Sequence, residues 1–125
     1  MEQTYRISVT ARPFYLPEQS NEMAEKYTFA YQITISNEGT IPAKLLSRHW
    51  IIEDVAGARQ EVRGAGVVGE YPELAPGESF EYTSGVTLDT PVGTMRGSYQ
   101  MIAADGTEFE APIAQFTLAM PRTLH

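Results

Sequence analysis

The sequence contains no cysteine, which excludes disulfide bonds, thiolate nucleophiles and metal sites built on cysteine ligands. Histidine is nearly absent as well: His49 and His125 are the only two, so we expect no metal site. No apolar run approaches the roughly 20 residues that a membrane-spanning helix needs. The first residues also lack the basic and apolar regions of an export signal. We therefore expect a cytoplasmic protein that has no membrane partner and no cofactor.

Basic residues are scarce: nine Lys and Arg stand against sixteen Asp and Glu, for a net charge of −7. Because such a chain repels a phosphate backbone overall, nucleic-acid binding is disfavoured. The 42% of apolar residues is too high for a disordered chain. A length of 125 residues suits one ordinary domain, and no linker-like segment divides it. Residues 1–125 are therefore predicted to form a single domain.

Alternating apolar and polar residues predict a chain built of β-strands. The clearest alternation runs from Tyr27 to Ser36 and places five apolar side chains on one face: Tyr27, Phe29, Tyr31, Ile33 and Ile35. Similar alternation, separated by turns that contain Gly or Pro, predicts strands at 7–12, 45–53, 59–62, 80–88, 96–103, 108–111 and 113–118. Seven or eight short strands without helical crossovers predict an all-β fold, an antiparallel β-sandwich of the immunoglobulin-like kind.

Two segments carry more specific expectations. Along 45–53 the alternation places Leu46 on the same face as Trp50, with Leu45 on the opposite face. The polar stretch from Pro17 to Glu25 has too little apolar surface to anchor a helix, so it is predicted to be a long, mobile loop.

Residues Gly64 to Gly69 have the spacing G-x-G-x-x-G that is found in dinucleotide-binding domains. In those domains a helix follows and its N-terminus holds the pyrophosphate, but Pro72 leaves no room for such a helix here. Two interpretations remain: the glycines form a bulge or tight loop, which we favour, or their amides form an anion-binding nest. The candidate ligand residues of the second interpretation are Arg63, Gly64, Gly66 and Gly69.

The segment Ser47–Arg48–His49–Trp50 gathers the side-chain types of a hydrolase site. Residues two apart on a strand lie roughly 6.5–7 Å apart, so His49 is not expected to activate Ser47. Trp50 is instead predicted to be buried between the sheets, and Arg48 to bind a carboxylate or a backbone oxygen. The richest acidic stretch is predicted to be a solvated face: Glu70, Glu73, Glu78 and Glu81. We predict no catalytic residue and no enzymatic activity.

The same segments closely resemble the bacterial ApaG family. The matching stretches, which span nearly the whole chain, are 27–37, 46–50, 62–69, 76–78, 82–85, 93–99 and 116–118. The resemblance implies a fibronectin type III-like sandwich and a genetic link to cobalt and magnesium resistance, beside a diadenosine tetraphosphate hydrolase. In eukaryotic F-box and polymerase-interacting proteins the domain looks like a protein-interaction module. The resemblance also implies pyrophosphate or nucleotide binding at Gly64, Gly66 and Gly69, and it supplies no catalytic residues.

We therefore expect a non-catalytic binding module whose partner is an as yet unidentified protein. The alternative is a protein that binds pyrophosphate or a nucleotide, or weakly hydrolyses a phosphate ester, at the glycine segment.

Overall fold

The computed structural model describes residues 3–121, which form eight β-strands and two short 3₁₀ helices. The strands are β1 (Ile7–Tyr15), β2 (Tyr27–Asn37), β3 (Ala43–Asp54), β4 (Arg59–Ala65), β5 (Glu73–Leu74), β6 (Ser79–Leu88), β7 (Val92–Ala103) and β8 (Glu108–Ala119). The 3₁₀ helices, Pro17–Gln19 and Glu22–Ala24, both lie between β1 and β2. In this part of the chain no helix has the length and apolar character to cross a membrane.

The strands form two sheets that pack face to face. One sheet has the strand order β1-β2-β6, and the other has the order β4-β3-β7-β8, with β5 paired to the start of β3. Every neighbouring pair of strands is antiparallel. The predicted class, a fibronectin type III-like antiparallel β-sandwich of seven to eight strands, is confirmed.

Strand β2 follows the predicted alternation along its whole length. Phe29, Tyr31, Ile33 and Ile35 are buried between the sheets, and the residues between them are only half-buried. Successive side chains of a strand point to opposite faces, so one face of β2 supplies the core and the other meets solvent.

Strand β3 corrects the predicted faces at Leu46. The pairing of β3 with β7 passes from Leu45↔Met101 to Ser47↔Gln100, so Leu46 is the extra residue of a β-bulge. Because of the bulge, the side chain of Leu45 is buried in the core together with that of Trp50. The alternation had predicted Leu46, not Leu45, on the face of Trp50. Strict alternation missed it because a bulge depends on the pairing with another strand.

The C-terminal strands and the first long loop also differ from the prediction. Segments 108–111 and 113–118 are one strand, β8, which tolerates Pro112 because it lies at the edge of its sheet. The predicted loop from Pro17 to Glu25 contains both 3₁₀ helices, and backbone hydrogen bonds between Asn21 and Lys26 close it. It therefore has regular local structure that the composition did not predict.

Trp50 lies at the centre of the core, as predicted, with only 3% of its surface exposed. The rings of Tyr31, Tyr99 and Phe116 meet it edge-on, with centroids 5.5, 6.3 and 6.0 Å from its own. Aromatic pairs prefer this geometry, which adds to the stabilisation from buried area. The core is therefore an aromatic cluster shared by both sheets.

The hydroxyls of Tyr82 and Tyr99 form a hydrogen bond inside this core. Burial raises the pKa of Tyr82 to about 12 and raises that of Tyr99 as well. The unfolded phenols ionise at about pH 10, so the folded state holds protons that the unfolded state has lost. We expect the free energy of unfolding to stay level up to about pH 10 and to fall as the pH rises through about 12.

Urea denaturation at a series of alkaline pH values, followed by Trp50 fluorescence, measures this effect. The double variant Tyr82→Phe/Tyr99→Phe removes both hydroxyls and is expected to flatten the fall. The explanation is wrong if the wild-type and double-variant profiles have the same slope.

The two sides of the sandwich differ in how they close. On one side β1 packs against β8, and Tyr5 joins them by donating a hydrogen bond to Asp105 and by packing its ring on Phe109. On the other side the edge strands β4 and β6 leave a cleft of about 320 Å³ between the sheets. The glycine segment begins at the end of β4, beside this open side.

Candidate functional site

Residues 64–71, called the glycine hairpin below, form a tight turn rather than a junction of loop and helix. Gly64 and Ala65 still belong to β4 and pair with β3. The chain reverses at Val68 and Gly69, whose φ angles are +44° and +79°. The flanking residues Val67 and Glu70 exchange two backbone hydrogen bonds of 2.9 and 2.8 Å. Two successive positive φ angles between such a pair define a type I′ turn.

Three amides of the hairpin are already used by the fold. The amide of Gly66 donates to the carbonyl of Leu46 at 2.9 Å, and those of Val67 and Glu70 donate to each other's carbonyls. The amides of Val68 and Gly69 have no backbone acceptor within residues 3–121. The predicted ligand residues are placed on one strand and its turn: Arg63 and Gly64 in β4, Gly66 just after it and Gly69 at the turn.

Arg48, which lies on β3, binds the backbone of the hairpin through its side chain. Its Nη1 donates hydrogen bonds to the carbonyls of Ala65 and Gly66 at 3.1 and 2.8 Å. A Cβ atom on Gly64 would lie 2.8 Å from the guanidinium, so only glycine lets the arginine lie across the strand. The sequence predicted a carboxylate or a backbone acceptor for Arg48, and the acceptor is the backbone.

The tip of the hairpin presents apolar side chains to solvent. Val67 is fully buried and anchors the turn, whereas Val68 and Tyr71 keep 55% and 52% of their surfaces exposed. A Cβ atom on Gly66 would lie 3.5 Å from Cδ1 of the Tyr71 ring. A β-branched residue at positive φ is strained, so the fold holds Val68 in an unfavourable conformation without burying its side chain.

Val68→Asn is expected to stabilise the protein by about 1 kcal/mol, because asparagine tolerates the left-handed conformation better than valine does. Chemical denaturation measures the change. Val55→Asn is the control: Val55 is also exposed, at 67% against 55% for Val68, and has no positive φ, so its substitution is expected to change stability by less than about 0.5 kcal/mol. Equal effects of the two substitutions would contradict strain at Val68.

Ser47 and His49 have separate partners. The Ser47 hydroxyl donates to Oε1 of Gln100 at 2.7 Å, and Nε2 of His49 lies 3.1 Å from Oε1 of Glu61. That hydrogen bond lowers the pKa of Glu61. Sequence reasoning missed Glu61 because it lies on β4, and only the pairing of β3 with β4 brings it beside His49.

The remaining titratable candidates are dispersed. Within residues 3–121 no group of three or more His, Asp and Glu could hold a metal ion, and His125 lies outside the described residues. The four glutamates of the predicted solvated face, Glu70, Glu73, Glu78 and Glu81, are all exposed.

Fold and site together define a β-sandwich domain of fibronectin type III-like topology with a glycine hairpin at its open side. The profile of the ApaG domain family matches residues 17–103. The chain is 62% identical over 123 residues to Protein ApaG of Azoarcus sp., covering 98% of this chain and 97% of that protein. It is 58% identical over 121 residues to Protein ApaG of Nitrosospira multiformis, covering 97% and 95% of the two chains.

A solved crystal structure has the same fold as this chain. The crystal structure described as that of the ApaA protein from Bordetella pertussis superposes with a TM-score of 0.95 at 54% identity, covering 98% of this chain and all of that one. The chain belongs to the ApaG family.

Proposed function

We propose that the protein is a non-catalytic binding module that recognises a protein partner through the glycine hairpin. The observation that carries the proposal is Val68, an exposed apolar side chain on a strained and rigidly held turn. Within the described chain more than half of the surface of Val68 stays exposed, so burial does not offset the backbone strain. A partner that buries Val68 and Tyr71 would gain apolar contact area from this arrangement. Exposed aromatic and apolar side chains on a rigid support are typical anchors of protein interfaces.

Acidic residues around the hairpin favour a partner with a basic surface. Glu70 lies within the turn and Glu73 follows Tyr71 closely, and both are exposed. With a net charge of −7, the module favours a partner that surrounds an apolar pocket with Lys or Arg. Such a partner would bind more slowly as salt is raised, because screening weakens the attraction between the two surfaces.

Capture from lysate with three immobilised forms tests the proposal. The forms are the wild type, the hairpin variant Val68→Ser/Tyr71→Ser, and the control Met23→Ser, which removes another apolar side chain that is 99% exposed. We expect one protein to be retained by the wild type and the control and lost by the hairpin variant. A set of captured proteins that is identical for all three forms would exclude the hairpin as the contact.

Pyrophosphate or nucleotide binding, or weak hydrolysis of a phosphate ester, is the alternative. It is favoured by the amides of Val68 and Gly69, which have no backbone acceptor within residues 3–121, and by the exposed Arg63 on β4. Amide NMR during a titration with pyrophosphate separates the two functions. Anion binding requires saturable, salt-sensitive shifts at Val68 and Gly69 that Arg63→Ala weakens and Arg12→Ala does not. Under the main proposal these resonances stay unchanged in all three proteins.

The proposal also covers the family's link to cobalt and magnesium resistance, which would act through a cytoplasmic partner rather than through metal bound here. Calorimetric titration of the protein alone with Co²⁺ or Mg²⁺ is expected to show no tight binding. A tight site that one or two side-chain substitutions abolish would make the link direct.

A further inference from the structure

Among the residues that the structure describes, 3–121, one charged side chain lines the cleft between the edge strands β4 and β6, that of Arg48. The apolar lining of the cleft comes from both sheets: Tyr31, Trp50, Ile52, Val62 and Val86. Its uncharged polar lining comes from Ser84 and Thr87 on β6 and from Gln60 on β4. A volume of about 320 Å³ lies at the lower end of the range for small-molecule pockets. The cleft thus combines a single cation with an apolar patch shared by both sheets and a few uncharged polar groups.

The charge of Arg48 has no counter-ion in the part of the chain that the structure describes. Arg48 forms no ion pair there, and its Nη1 is directed at two carbonyl oxygens. Its Nη2 and Nε have no hydrogen-bond acceptor within residues 3–121. The nearby phenols of Tyr82 and Tyr99 stay neutral because burial raises their pKa values. A half-buried guanidinium without a carboxylate is costly, and an anion that enters the cleft removes that cost.

We propose that this cleft binds a small organic monocarboxylate with an aromatic or branched apolar body. The donors left on a planar guanidinium match the two oxygens of a carboxylate. One cation balances one negative charge, and the net charge of −7 disfavours ligands that carry several. The apolar side chains that line the cleft, above all the partly exposed Val62 and Val86, hold the body of the ligand by apolar contact. This site shares Arg48 with the base of the hairpin but does not include its exposed tip, and the proposal does not rest on the protein partner proposed above.

The fluorescence of Trp50 reports on ligand binding in the cleft, because Trp50 is the only tryptophan of the sequence and forms part of the cleft wall. The probe is phenylacetate, and phenylacetamide is its neutral match of nearly the same shape. We expect phenylacetate to change Trp50 fluorescence saturably. Phenylacetamide is expected to bind at least about tenfold more weakly, because a hydrogen bond to a charged group is lost. The absence of a saturable change, or equal binding of the two probes, would overturn the proposal.

Two variants locate the binding. Arg48→Gln removes the cation and is expected to weaken phenylacetate binding by about tenfold or more, whereas Arg12→Gln, on the outer strand β1, leaves it unchanged. Ser84→Phe fills the cleft from β6 while the arginine is kept, and it is expected to abolish binding. It decides the question if Arg48→Gln fails to fold. Retained binding in a folded Arg48→Gln or Ser84→Phe protein, checked by its cooperative unfolding, would place the probe elsewhere and refute the site.

Discussion

Gly66→Ala is expected to destabilise the protein by about 3 kcal/mol, whereas Gly69→Ala costs about 1 kcal/mol. Both glycines have positive φ, so a side chain strains the backbone at either position. They differ in the space around them. A Cβ on Gly66 would lie 2.4 Å from the carbonyl oxygen of Glu70, whereas nothing lies within 4 Å of the corresponding atom on Gly69.

The difference between the two variants isolates the steric part of the effect, because the conformational part is common to both. Urea denaturation of the two proteins and the wild type measures it. Equal losses of stability would mean that the turn relaxes around the new methyl group, and that the hairpin is less rigid than the function proposed for it requires.

Asn37→Asp is expected to cost about 4 kcal/mol at neutral pH. Asn37 is only 2% exposed, and its Nδ2 donates to the carbonyls of Ile41 and Leu74 at 2.9 and 2.8 Å. Its Oδ1 accepts from the amide of Gly39 at 2.8 Å. The substitution replaces the double donor with a carboxylate oxygen that faces two carbonyl oxygens, so the strand end loses two bonds and gains a buried charge.

The pH dependence of this variant has a definite sign. Burial against two carbonyls raises the folded pKa of the introduced carboxyl above its unfolded value of about 3.9. The variant is therefore closest to the wild type below about pH 4 and loses stability as the pH rises through the folded pKa. Denaturation between acid and neutral pH measures the change. Asn21→Asp is the control, because the exposed Asn21 caps Ala24 with an oxygen that aspartate keeps. The same pH profile for both variants would contradict the role given to Asn37.

The fold could be predicted wherever the alternation of apolar and polar residues within a single strand was sufficient to define its buried face. β2 is the clearest case, since its inward face from Phe29 to Ile35 can be recognised from residues of that strand alone. The bulge at Leu46 and the short strand β5 could not be predicted in this way, because both are defined by pairing with β3 or β7. The contact of Asn37 with Leu74 joins residues 37 positions apart, so no local pattern predicts it.

The candidate site was predictable only in outline. Pro72 was sufficient to argue against a dinucleotide-binding helix, and the structure indeed has a tight turn there. The positive φ of Val68 could not be foreseen, because valine is among the residues least suited to it. The pairing of His49 with Glu61 and the cleft beside Arg48 depend on how strands and sheets come together. Chemistry that is assembled across strands leaves no local pattern in the sequence.

The contact proposed between the tip of the glycine hairpin and another protein can be tested directly. The most direct measurement is photo-crosslinking in cells, with benzoylphenylalanine placed at position 68 in one form and at position 23 in a control form. Both positions are exposed, but only the first lies on the hairpin. We predict one dominant protein adduct from position 68 that is absent from position 23. No adduct from position 68, or the same adducts from both positions, would contradict the claim.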